Sequence, residues 1–171
     1  MDKHRCLNRL GAWFYTRFPA AGRRWAQKFQ PAPTSAAIPW TPLRTPLAQT
    51  KFALLTTGGP HLRSDQPFDM ADPHGDPSYR AIPASARLSD ITITHDYYNH
   101  ADADRDLNII LPLTRFQELA EQGRIGGVGT AYGFMGHITD EHVATLVSQT
   151  APAVARSLRA EGVTAALLTP A

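Results

Sequence analysis

Two uncharged apolar runs constrain the fold more than any other feature of the chain. Phe52-Ala53-Leu54-Leu55 follows Lys51 and ends at Thr56-Thr57-Gly58-Gly59; Val163 to Leu168 ends at Thr169-Pro170. Both are too short for a buried helix and are bounded by turn residues, so they read as buried strands, the first closed by a tight glycine turn. Ile91-Thr92-Ile93-Thr94 alternates branched residues and reads as another strand, ending at His95, and Leu107–Leu111 as a further one, ending at Pro112. Thr114–Gln122 predicts a helix. Thr114 and Gln117 form its capping box, Gly123 its stop, and Phe116, Leu119 and Ala120 its buried face. A second helical region spans about 140–161, with Val143, Leu146, Val147, Val154, Ala155 and Leu158 at helical spacing, a bend near Pro152 and Gly162 as its end. Strands alternating with helices predict an α/β fold: a mostly parallel sheet with covering helices, in Rossmann- or flavodoxin-like layers.

Two other segments precede this domain. Residues 1–29 carry seven Lys and Arg against Asp2 alone, while the whole chain of 171 residues has a net charge of only +2. This predicts a basic amphipathic helix whose Trp13, Phe14, Phe18, Trp25 and Phe29 dock on the chain's own domain, because isolated helices need packing to persist. The competing uses of such a segment are contact with nucleic acid, an anionic membrane or an acidic partner. Residues 30–47 hold five prolines and read as an extended connector, with Trp40 and Leu43 as surface anchors. The α/β domain then occupies 48–171. Pro60–Ala86 shows little periodicity and reads as a long connection.

Several chemistries are excluded by spacing. Cys6 is the single cysteine, so internal disulfides and cysteine-rich zinc sites are impossible; the usage fits a reducing, cytoplasmic setting. No run of eighteen apolar residues exists to span a membrane. Thr56-Thr57-Gly58-Gly59 lacks the Gly-Lys-Ser/Thr of a phosphate loop, and after Gly127-Val128-Gly129 the third fingerprint glycine is replaced by Tyr132. Asp102, Asp104 and Asp106 alternate like calcium ligands, but Leu107 and Leu113 stand where the glycine and bidentate glutamate belong, which leaves solvated loop carboxylates.

Loops leaving the carboxyl ends of parallel strands converge on one crevice. His61 follows the first strand and His95 ends the second, making them the candidate catalytic acid or base. Thr57, Gly58, Gly59, His137 and Thr169 are the substrate-binding candidates around the same crevice. Asp96 points to the opposite face from His95 on a strand and is not expected to orient it. A histidine-only metal site of His61, His95 and His137 has no spacing signature, and none is expected.

Several blocks then resemble one family in order. Leu54-Leu55-Thr56-Thr57-Gly58-Gly59-Pro60-His61-Leu62, Gln66-Pro67-Phe68-Asp69, Gly75–Pro83, Ile93-Thr94-His95, Asp106–Pro112, Phe134-Met135-Gly136-His137-Ile138 and Ala151-Pro152 through Pro170 are similar to the selenoprotein B subunits of glycine, sarcosine, betaine and D-proline reductases. The resemblance covers most of 38–171. It implies reductive cleavage of a carbon–nitrogen bond in a small amine or amino-acid substrate by a selenolate or thiolate, working with a thiol/disulfide couple. It also implies a pyruvoyl group on a partner subunit, and a thiol or selenol reductant protein as a second partner. In the family a cysteine or selenocysteine directly follows the strand ending in Thr-Pro. Here no cysteine follows Cys6, and the sequence given ends at Ala171. The resemblance therefore implies selenocysteine in a full-length product, encoded by UGA after Ala171, and a domain incomplete at its C-terminus. The 171 residues alone are expected to lack reducing activity and to be marginally stable. The alternative is a non-catalytic α/β binding module that kept the crevice.

Overall fold

A computed structural model describes residues 3–27 and 41–170, so the expectations for Phe29 and Trp40 lie outside the described residues. The chain opens with α1 (Lys3–Arg17) and α2 (Pro19–Ala26). It continues through β1 (Lys51–Thr56), β2 (Pro60–Leu62), β3 (Tyr79–Ile82), β4 (Ile91–Ile93), α3 (Ala101–Arg105), α4 (Leu113–Glu121), β5 (Gly127–Val128), β6 (Ala131–Phe134), α5 (Glu141–Thr145), α6 (Ala151–Ala160) and β7 (Ala165–Thr169).

β1 is the central strand. β7 runs parallel to it from Phe52↔Ala165 to Thr56↔Thr169. On the opposite edge lie β5 and β6, also parallel to β1, in registers Phe52↔Val128 and Leu55↔Tyr132. They act as one strand interrupted at Gly129-Thr130, where the Glu161 carboxylate takes the Thr130 N–H at 2.9 Å. β3 closes that side antiparallel to β6. The fold is thus α/β with a mostly parallel sheet, as the apolar runs predict.

Three expectations about elements are corrected. Ile91–Ile93 is a strand, but β4 pairs antiparallel with β2 in a separate two-stranded ribbon and does not join the main sheet. Leu107–Leu111 is not a strand. Asp106 accepts the Asn108 N–H, the Ile110 N–H returns to Leu107, and the segment turns as a short 3₁₀ helix. Leu107, Ile110, Leu111 and Leu113 then recur at intervals of one to three residues and all plug the core. Local aspartate-to-backbone bonding has overridden the strand propensity of the branched residues. The capping box at Thr114 is absent. α4 starts one residue earlier, and the Thr114 N–H and hydroxyl both donate to the Asn108 side chain, while Gln117 reaches the Ala84 carbonyl.

The long connection after β1 contains the strands β2 and β3, which the sequence pattern does not reveal. The bend near Pro152 takes the form of a π-helical turn at Leu146–Thr150, joining α5 to α6. Proline cannot donate to the carbonyl four residues back, and widening the preceding turn accommodates that loss.

The core is one cluster under the main sheet, with Leu54, Ile82, Leu111 and Leu113 fully enclosed. Each such side chain contributes about 1.5–3 kcal/mol by leaving water. A smaller cluster of Phe68, Met70 and Met135 lies beside the strand ends, with the Arg80 guanidinium 4.5 Å over the Phe68 ring. Among the described residues β7 pairs with β1 alone, and Leu168 is 70% exposed. The docking expected of the N-terminal aromatics is also corrected: Trp13, Phe14, Phe18 and Trp25 all face solvent.

Candidate functional site

The crevice forms where three parallel strands end together. β1 runs into Thr57-Gly58-Gly59, β6 into Met135-Gly136-His137, and β7 into Thr169-Pro170. The Thr57 N–H donates to the Thr169 carbonyl at 3.2 Å. The Thr169 hydroxyl lies 2.5 Å from the Ile110 carbonyl, which ties the strand end to the 3₁₀ plug. Gly136 packs so closely on Thr57 that an added Cβ would meet the threonine Cβ at 3.2 Å. Gly59 has φ of +72°, and an added Cβ there would lie 2.5 Å from the Thr94 carbonyl, so only glycine allows this reversal against β4. Above Thr57 and Thr169 opens a cleft of about 580 Å³, walled mainly by Leu55, Met135, Ile138, Val143, Leu146 and Leu168. The threonines are the polar end of an otherwise apolar cleft.

The glycine turn connects this cleft to the histidines. Gly59 accepts the Thr94 N–H at 3.0 Å, and the Thr94 hydroxyl meets His61 Nε2 at 2.8 Å. His61 Nδ1 lies 2.7 Å from the Leu62 carbonyl, which can only accept, so Nδ1 carries the proton and Nε2 accepts from Thr94. Both nitrogens are engaged inside the fold, and His61 is 2% exposed. It stands one layer behind the crevice wall.

His95 borders a separate pocket of about 240 Å³ that it shares with Arg9, Ala12 and Trp13 of α1, and it reaches the cleft only through the Gly136 backbone. The Gly136 N–H points at its Nε2 from 3.3 Å and the Tyr97 N–H at its Nδ1 from 3.2 Å. A neutral imidazole has one lone pair in the ring plane, so it satisfies one of these donors; an imidazolium would be opposed by both. Burial pushes the His95 pKa down to about 4, and the nearby His100 and His137 act in the same direction. His95 is therefore a neutral acceptor at physiological pH.

The sequence reading missed the residues after His95. The Tyr98 hydroxyl donates to the Gly58 carbonyl at 3.0 Å, and burial, with Asp104, pushes its pKa up to about 12. Its ring lies 4.8 Å edge-on from His95. Tyr97 stacks on His137 at 4.2 Å. Asp96 takes Arg5 of α1 at 2.6 Å and makes no hydrogen bond to His95, but both residues lie in a turn beyond the end of β4, so strand alternation is not the cause. The consecutive His95-Asp96-Tyr97-Tyr98 run was the available signal, four side chains able to bond on alternate faces.

Of the sequence-predicted residues, Thr57 and Thr169 line the cleft and Gly58 and Gly59 form the turn beside it. His95 and His137 line two separate pockets facing the α1–α2 hairpin, and His61 is buried behind the turn. A second cluster flanks the outer wall. His142 pairs with Asp72 at 2.8 Å and His74 with Asp140 at 2.7 Å. The hydrogen bond that His142 donates to the Asp72 carboxylate holds the His142 pKa above the usual histidine value. Among the described residues, no group of three or more His, Cys, Asp or Glu side chains is placed to hold a metal ion. Nor is any described helix long and apolar enough to cross a membrane.

With this geometry in place, comparison with known proteins is informative. The chain is 36% identical over 131 residues to the D-proline reductase subunit gamma of Acetoanaerobium sticklandii, a match covering 76% of this chain. It spans about half, 52%, of that relative's length. No family model matches the chain. No solved structure matches it.

Proposed function

We propose that this chain forms the substrate crevice of a selenoprotein B-type subunit in an amino-acid reductase of the D-proline, glycine, sarcosine or betaine reductase kind. The observation that carries this reading is the 36% identity to a D-proline reductase subunit across three quarters of the chain. Thr57, Gly136 and Thr169 of the cleft, with Gly59, His95 and His137 next to its strand ends, fall within the blocks that resemble this family. In such a complex the pyruvoyl carbonyl of a partner subunit and a selenolate or thiolate supply the redox chemistry. Among these 171 residues the only thiol is Cys6 on α1, so the residues of the crevice bind and orient and do not transfer electrons.

Their division of labour follows from the geometry. Thr57 and Thr169 form the polar end of the cleft, and the apolar wall excludes water from the carbon skeleton. His95 is kept neutral and accepts a proton only weakly. It serves as a hydrogen-bond acceptor that fixes Gly136 and, through it, the His137–Tyr97 stack. His61 supports the glycine turn from behind through Thr94. A pyruvoyl-bearing subunit and a thiol or selenol reductant protein are the partners, in a cytoplasmic setting.

The test is reconstitution of the reductase from its subunits, this one supplied as its full-length gene product, with D-proline, glycine, sarcosine and betaine in turn, following oxidation of a dithiol. Amine-dependent dithiol oxidation that requires this chain and drops at least tenfold in His95→Ala supports the proposal. A complex that turns over equally well without the chain sinks it. The second reading, a non-catalytic binding module, is favoured by the cleft lining, which contains no cysteine, while the one thiol, Cys6, is exposed on α1. It expects the chain to bind one of these amines by calorimetry while adding nothing to turnover.

A further inference from the structure

The α1–α2 hairpin presents its side chains in an unusual sense. Its inward residues are small: Asn8, Gly11, Ala12, Ala21 and Gly22 are the partly buried ones, while Leu7, Leu10, Trp13, Phe14 and Trp25 face solvent. At 100° per residue, Leu7, Leu10 and Phe14 lie on one stripe of α1 about 80° wide, with Lys3 and Arg17 at its two ends. Phe18 continues that stripe into the turn, its ring 5.0 Å from Phe14. Trp25 of α2 stands beside α1, 5.8 Å from Tyr15. A helix that owed its place only to its own domain would turn these large apolar groups inward. Here the attachment relies on polar contacts, Arg5 to Asp96 and Asn8 to Tyr97.

The charge on the same hairpin has one sign. Residues 3–27 contain Lys3, Arg5, Arg9, Arg17, Arg23 and Arg24 and no acidic residue, and no Asp or Glu follows until Asp65. Exposed leucines and aromatics interleaved with arginines, on a helix of low net hydrophobicity, form the pattern that lies in a lipid–water interface. Trp and Phe rings enter the acyl boundary while guanidinium groups stay with anionic headgroups.

We propose that the α1–α2 hairpin is a docking surface for an anionic phospholipid bilayer, holding the α/β domain against the membrane without spanning it. An acidic protein would satisfy the charges, but would have to supply a matched apolar groove for side chains that stand out along two helices. A fluid interface takes them without such a match. The crevice plays no part in this argument, so the proposal stands or falls independently of the reductase reading.

The experiment is flotation of the full chain with vesicles of phosphatidylcholine alone or with about a third phosphatidylglycerol, with Trp13 and Trp25 emission recorded in parallel. Binding to the anionic vesicles, a blue shift of the tryptophan emission and release by half-molar salt are expected. Each cation near such a surface strengthens binding about fivefold, so the triple variant R17Q/R23Q/R24Q should bind about a hundredfold more weakly. Leu7→Ser with Leu10→Ser, both at exposed positions, should weaken binding and abolish the blue shift. An unchanged thermal melt checks that each variant is folded. Failure to bind anionic vesicles overturns the proposal, as does equal binding to neutral ones. Capture by soluble poly-glutamate with no capture by vesicles would assign the hairpin to an acidic protein instead.

Discussion

His95 and His61 lie close together, yet their protons are set by different neighbours. The unfolded His95 titrates near its ordinary 6.5 and the folded one near about 4. Above pH 6.5 both states are neutral and the difference contributes nothing. Below it the unfolded chain binds a proton that the folded site refuses, so stability falls by roughly 3 kcal/mol between pH 6.5 and 4. Urea midpoints of the wild type and His95→Asn at pH 7.5 and 4.5 should therefore converge at low pH, because the variant lacks this loss. Parallel pH profiles would refute the burial account. For His61 the expectation is structural. His61→Ala removes two internal hydrogen bonds and leaves a cavity beside Phe68, and should cost about 2–4 kcal/mol in a denaturant titration at pH 7.5. Tyr98→Phe removes one hydrogen bond, to Gly58, and should cost about 1 kcal/mol in a denaturant titration. The sequence marked both histidines by position near a strand, but position does not distinguish a ring whose nitrogens are spent on Leu62 and Thr94 from one bordering the pocket beside α1.

At the scale of elements, what could be read in advance was what depends on local pattern. The β1 and β7 runs, the α4 stop at Gly123 and the bend before Pro152 depend on residues within a few positions. What could not be read was pairing. β2 and β3 are short and lie in a segment rich in Pro and Asp, and they exist because β4 and β6 offer partners far along the chain. The 107–111 segment shows the converse, since Asp106 and Asn108 bend a run whose composition suits a strand. The outer wall of the cleft depends on pairing of another kind. α5 carries Val143 to the cleft and is fastened by His142 to Asp72, next to the Thr139–His74 backbone bond. Because Asp72 raises the His142 pKa, the ionic form of this fastening is fully present below the ordinary histidine value and is lost as pH rises through the raised one. Glu141 and Asp76 favour the same protonated form. Hydrogen exchange of residues 138–146 should therefore quicken on moving from pH 6 to 9, after correction for intrinsic rates, and Asp72→Asn should remove that pH dependence.

For the whole molecule, the decisive arrangement is that one short loop, His95–Asn99, is bonded to the strand-end backbone on one side and to the hairpin on the other. His95 and Tyr98 hold Gly136 and Gly58, while Asp96 and Tyr97 hold Arg5 and Asn8. The basic N-terminal segment and the crevice were legible as separate features, but nothing in either segment's pattern indicated that they meet. Asp96 is nearly buried and Arg5 is half exposed. Removing the guanidinium leaves a carboxylate with poor access to water, a change costing up to about 3 kcal/mol where the pair is well shielded, and less at this partly solvated site. Arg5→Gln should therefore release α1 before it threatens the domain. Exchange measured by mass spectrometry should show faster amides in 5–12 and 96–99, with β1 and β6 unchanged. Because Tyr98 and His95 keep their bonds to the strand ends, the cleft should persist in this variant. Amine binding by a released but folded Arg5→Gln chain should stay within about threefold of wild type, since the pair contributes to docking and not to the ligand. Loss of protection throughout the sheet would instead mean that the hairpin is an integral part of the fold.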